Sequence, residues 1–110
     1  LGFGAAHDNS HATFIDPSGN DHYHLGAADC RALGAAPMSS WGDAREIMPS
    51  LGLFFDLGGA DHYPAACPRA GNGAAWAWPR QHPALNLPSE RGAGIDGEHA
   101  NPFFTAPLTR

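Results

Sequence analysis

Apolar positions in this chain come in short bursts separated by Gly, Asp and Pro. The longest, Leu51 to Leu57, is interrupted by Gly52 and Asp56, far from the roughly 18 apolar residues that a membrane-crossing helix needs. Ala12 to Ile15 and Gly52 to Phe55 are each long enough for a strand and too short for a helix, and each runs directly into a Gly/Asp turn. In those turns Gly19 and Gly59 supply positive φ, while Asp16 and Asp56 are placed to accept backbone N–H bonds. Tyr23 and Tyr63 are expected to open the next short strands. Helix is expected only around Ser40 to Met48, where Ser39 or Ser40 can cap it and Pro49 stops it.

The bursts repeat. Thr13-Phe-Ile-Asp-Pro-Ser-Gly-Asn-Asp-His-Tyr23 overlies Leu53-Phe-Phe-Asp-Leu-Gly-Gly-Ala-Asp-His-Tyr63 at an offset of forty, with six of eleven positions identical. A further step of forty reaches Gly94-Ile95-Asp96-Gly97, which keeps the apolar-Asp pair and loses the rest, as a degenerate copy or an accident. A second recurrence joins Cys30-Arg-Ala-Leu-Gly-Ala-Ala36 to Cys67-Pro-Arg-Ala-Gly-Asn-Gly-Ala-Ala75, with Gly4-Ala-Ala6 related. Periods of this length mark arrays in which each unit buries its apolar face only against its neighbours. The expected fold class is therefore mostly irregular and all-β, a short-strand repeat that is solenoid- or β-roll-like, with long loops and little helix. Residues 1–75 form the repeat region, with units marked by 13–23 and 53–63, and residues 76–110 an extended tail rich in Pro and aromatic side chains.

Composition narrows this further. The hydrophobic share of 43% includes twenty Ala and no Val, leaving 25 large apolar side chains among 110 residues, so any core is small and aromatic. Fourteen Gly and ten Pro disfavour long helices and strands. All six basic residues are Arg, and the formal charge of -5 speaks against nucleic acid and anionic membrane surfaces as partners. The chain reads as a mature or internal piece of a longer protein, its targeting segment lying outside the sequence.

Cys30 and Cys67 leave their turns seven and four residues after the respective Tyr. They are expected to face one layer and to pair in an oxidising compartment, closing a loop worth about 4 kcal/mol of chain entropy; the alternative is two small buried thiols. In the tail, Trp76 and Trp78 point to the same side of an extended segment, and Phe103-Phe104 form a second apolar anchor. So few large apolar residues cannot readily offset an ordering entropy of about 1 to 2 kcal/mol per residue. These four rings are therefore expected to bury themselves against other polypeptide, either a larger complex or the rest of the same chain.

The unit Asp16-Pro-Ser-Gly-Asn-Asp-His-Tyr23, with Asp56-Leu-Gly-Gly-Ala-Asp-His-Tyr63, resembles the Asp-x-Gly-Gly-Asn-Asp-x-Tyr repeats of large bacterial surface and secreted proteins. It is also similar to the calcium-binding nonapeptides of RTX proteins, Gly-Gly-x-Gly-x-Asp. The second likeness implies a parallel β-roll in which Asp21 and Asp61 ligate Ca²⁺ with help from carbonyls around Gly19 and Gly59. One unit alone offers too few oxygens for the six to eight ligands of about that number that calcium takes. If the units face one another, Asp16, Asp21, Asp56 and Asp61 are supplied together; otherwise these aspartates only cap turns.

No nucleophile elbow, P-loop or His-Glu-x-x-His pattern is present, and residues that recur with a repeat serve the repeat. The function expected is a non-catalytic structural or accessory module of a larger, bacterial, extracytoplasmic assembly, in the periplasm or on the cell surface, stabilised by calcium. The alternative is a fragment of a metal-dependent enzyme using His7, His11, His22 or His24.

Overall fold

The computed structural model describes residues 2–7, 10–26, 29–36, 50–78, 80–81 and 88–97. Five strands form one sheet: β1 (His11–Asp16), β2 (Ser50–Asp56), β3 (Ala75–Ala77), β4 (Arg80–Gln81) and β5 (Pro88–Asp96). The order is β1-β2-β5-β3, with β4 also paired to β5. β1, β2 and β5 run parallel, whereas β3 and β4 lie antiparallel to β5. A short 3-10 turn spans Cys30–Ala32, and there is no α-helix among the described residues. The helix expected at Ser40 to Met48 lies outside them, as do Phe103 and Phe104. The described part is mostly sheet and irregular backbone. None of its helical segments is long and apolar enough to cross a membrane.

The sequence offset of forty is the register of the parallel ladder. Phe14 pairs with Phe54 and Phe54 with Gly94; Asp16 pairs with Asp56 and Asp56 with Asp96. The third occurrence, Gly94-Ile95-Asp96, is therefore a structural equivalent of the first two. This changes the expected tail. β5 lies between β2 and β3, so the strands β3, β4 and β5 of the expected tail belong to the same sheet as the repeat units instead of running over a surface. Its inward positions are Gly92, Gly94 and Asp96, none of which carries an apolar side chain, so no hydrophobic periodicity is left to read.

Inward-facing residues alternate with outward ones, as the strand period of two requires. Phe14 stacks on Phe54 with ring centroids 5.3 Å apart, and Tyr23 stacks on Tyr63 at 4.9 Å. At the third position of this ladder, Gly94, the place of the phenylalanine is taken by a different part of the chain. Trp76 lies 5.4 Å from Phe54, and a Cβ at Gly94 would sit 2.2 Å from the Trp76 ring. Trp76 is thus in the core, 6% exposed, covered by its own chain and not presented to a partner. Trp78 is half-buried beside it, and both indole N–H groups donate to the Leu33 carbonyl at 3.0 Å. The two do share one side, as extended backbone dictates, but that side is already occupied.

Opposite the sheet, the Gly-Ala-Ala recurrence forms a thin second layer. Phe3 bridges Leu33 in parallel, and the Ala6 N–H donates to the Ala35 carbonyl at 2.9 Å. This layer approaches closely enough that a Cβ at Gly52 would lie 2.4 Å from the Ala35 oxygen. Backbone packs on backbone, which explains how a chain with few large side chains still buries Ala6, Ala35 and Ala36. The two cysteines form a disulfide with Cα atoms 5.5 Å apart, tying the 3-10 turn to the segment after Tyr63.

Candidate metal centre

Each of the three parallel strands ends at an aspartate, and after β1 and β2 the chain turns there. Asp16 Oδ1 accepts the Ser18 N–H and Asp56 Oδ1 accepts the Gly58 N–H, both at 3.3 Å, closing Asx turns as expected. Gly19 and Gly59 follow with φ of 141° and 131°, a region that disfavours side chains. Successive turns then stack: the Gly19 N–H donates to the Gly58 carbonyl, and the Ala60 N–H donates to Asn20 Oδ1. Tyr23 and Tyr63 do not open strands. A lone bridge joins His22 to His62, and both phenol rings turn inward beneath the aspartates.

This stacking gathers five aspartates, five of the eleven acidic residues in the chain. Carboxylate oxygens of Asp16, Asp21 and Asp56 lie within 4.8 Å of one another, and so do those of Asp56, Asp61 and Asp96. The second triad is the first one advanced by forty residues. Asp16, Asp21, Asp56 and Asp61, singled out from the sequence, are therefore brought together. Asp96 completes the set and was not singled out, because its unit lacks the Gly-x-Asp-His-Tyr half that marked the others; the offset of forty was the signal that could have found it.

The carboxylates of Asp56, Asp61 and Asp96 each have protein partners. The Tyr23 hydroxyl donates to Asp56 Oδ2 and the Tyr63 hydroxyl to Asp96 Oδ2, both at 2.5 Å. The Asp21 N–H donates to Asp61 Oδ1 at 2.8 Å. Burial, reinforced by the neighbouring carboxylates, pushes both phenols far above their ordinary range, so they remain hydroxyl donors. Asp21, Asp56 and Asp61 are likewise raised, first by burial and then by the negative charges around them. Asp61 is only 5% exposed, yet its Oδ2 has no hydrogen-bond partner within the described protein, and Asp21 Oδ2 is in the same situation.

Compared with protein-family models, curated proteins and solved structures, the chain matches none.

The ladder ends in a specific way. Where Asp21 is met by the next rung's carboxylate and backbone N–H, Asp61 is met by one side chain: Asn72 Oδ1 accepts the Asp61 N–H at 2.8 Å and Asn72 Nδ2 donates to the Asp61 carbonyl at 2.9 Å. The Gly73 N–H reaches Asp96 Oδ1 at 3.3 Å. Residues 72–76 thus fold back to complete the level of Asp96, with Asn72 where a third full copy would bring its second aspartate and Trp76 in place of a phenylalanine.

The histidines stay apart from this centre. His22, His24 and His62 line an open cleft with Leu25 and Pro64, His22 stacks on His62 at 4.3 Å, and His11 Nε2 pairs with Thr13 Oγ1. Neither aspartate triad includes a histidine.

Proposed function

We propose that this chain is a non-catalytic structural module of a larger extracytoplasmic assembly, a short solenoid whose rungs are clamped by calcium. The observation that carries the reading is the Asp61 carboxylate: buried, with one oxygen lacking a protein partner, and set between Asp56 and Asp96. A buried carboxylate oxygen without a partner is costly, and a bound cation removes that cost. All-oxygen donors suit hard divalent ions, and a spread within 4.8 Å suits the bond lengths of about 2.3 to 2.6 Å that calcium makes. Because the arrangement recurs with the repeat, it serves the stack and not one reacting atom. The disulfide favours an oxidising compartment, where calcium is also plentiful. The likeness to Asp-x-Gly-Gly-Asn-Asp-x-Tyr and RTX repeats points the same way.

The test is thermal unfolding of the chain followed by circular dichroism, in EDTA and then with excess CaCl2. An ion present at a hundred times its Kd adds about 2.7 kcal/mol, which for a domain of this size raises Tm by about 10 °C. An unchanged Tm, together with no calcium in the purified protein, refutes the reading.

A further inference from the structure

We infer that the two aspartate triads form one binuclear cation site bridged by the Asp56 carboxylate, rather than two alternative positions for one ion. This rests on the calcium reading above and specifies its stoichiometry and wiring. Each triad takes two carboxylates from one rung and the third from the next: Asp16 and Asp21 with Asp56, then Asp56 and Asp61 with Asp96. Asp56 is common to both. Its Oδ1 accepts the Gly58 N–H and its Oδ2 the Tyr23 hydroxyl. A carboxylate has about four lone-pair positions, so two remain for metals.

Two further observations fix the count. The orphaned oxygens come in a pair, Asp21 Oδ2 and Asp61 Oδ2, one in each triad, and Asp61 is 95% buried by the 5% exposure it retains. A single ion would satisfy one and leave the other. At the level of Asp96 the array stops, because Asn72 brings a neutral amide where Asp21 and Asp61 stand in the first two copies. Charge agrees with this count: two divalent ions bring four positive charges to five carboxylates, whereas one ion leaves three negative charges uncompensated in a mostly buried stack. Each ion also joins consecutive rungs, so occupancy of both sites is what locks β1 to β2 and β2 to β5 at their carboxyl ends.

The experiment is calorimetric titration of the metal-stripped 110-residue chain with CaCl2, alongside D21N, D61N and D56N. The expected result is two ions per chain for the wild type, one for D21N, one for D61N and none for D56N. Adjacency is read without substitution by loading the wild type with a mixture of Tb³⁺ and Eu³⁺: ions about one rung apart, near 4.8 Å, transfer excitation almost completely. Two bound ions without transfer, or one ion retained by folded D56N, overturns the bridge. A wild type that binds one ion overturns the binuclear site and leaves the calcium reading standing; a wild type that binds none overturns both.

Discussion

The substitution of a tryptophan for the third phenylalanine of the stack can be tested by returning the phenylalanine. Trp76 is 6% exposed, lies 5.4 Å from the Phe54 ring, and occupies the space above Gly94. Trp76→Ala removes a large buried ring, a change that costs about 3 to 5 kcal/mol. The Leu33 carbonyl is not orphaned by it, since Trp78 donates to the same oxygen, so the loss should be mostly packing. Gly94→Phe alone should also destabilise, because its Cβ would fall 2.2 Å from the Trp76 ring and overpacking costs about 1 to 3 kcal/mol or more. Combined, the two changes place Phe14, Phe54 and residue 94 in one column. The double variant should be more stable than Trp76→Ala by at least about 1 kcal/mol, with a coupling energy of opposite sign to both single effects. Urea denaturation of the four proteins measures the cycle. Additive losses, with Gly94→Phe harming Trp76→Ala as it harms the wild type, would refute the idea that these two positions share one site.

Two other outcomes are expected. The disulfide spans a sequence separation of 37, for which the chain-entropy relation gives about 4 kcal/mol; Cys30→Ala with Cys67→Ala should lower the urea-derived stability by most of that, and a loss under about 1 kcal/mol would show that the stack constrains the loop unaided. The pH dependence should invert with calcium: Asp21, Asp56 and Asp61 have raised pKa values in the folded chain against 3.8 for the free group, so the folded state in EDTA holds more protons than the unfolded and gains stability as pH falls from 7 toward 4. The exposed Asp29, lowered by its bonds to Arg31, works weakly in the other sense. With saturating calcium, protons compete with the ion and stability falls over the same range; denaturation midpoints at pH 5 and 7 with and without calcium decide it.

The repeat was legible in the sequence because the residues that make it are chemically marked. Asp16 and Asp56 close the turns, Gly19 and Gly59 take the backbone where other residues are strained, and Phe14 and Phe54 form the column, so identity at an offset of forty translated directly into hydrogen-bond register. β5 was not legible as part of the same sheet for a physical reason. A strand with Gly92 and Gly94 facing the core contributes no apolar side chain there, and its packing ring, Trp76, arrives from another strand. Aromatic residues near prolines, Trp76 and Trp78, suggested a surface patch seeking a partner because the vacancy they fill is created by Gly94, eighteen positions later than Trp76. Asn72 carried no signal at all, since a lone Asn between glycines reads as a turn residue.

The same accounting explains why the acidic residues sit where they do. With twenty Ala and only 25 large apolar side chains, the chain has little apolar side-chain surface to bury, and hydrophobic burial yields roughly 25 cal/mol per Å². Stacking aspartates in register adds repulsion to a fold already short of apolar surface, and the Tyr23 and Tyr63 hydroxyls relieve only part of it. Selection for stability alone would favour Asn at positions 21 and 61, as the chain itself does at Asn72 where the ladder ends. The first two levels keep both carboxylates and the third keeps Asp96 beside the Asn72 amide, the distribution that the proposed pair of ions between levels accounts for.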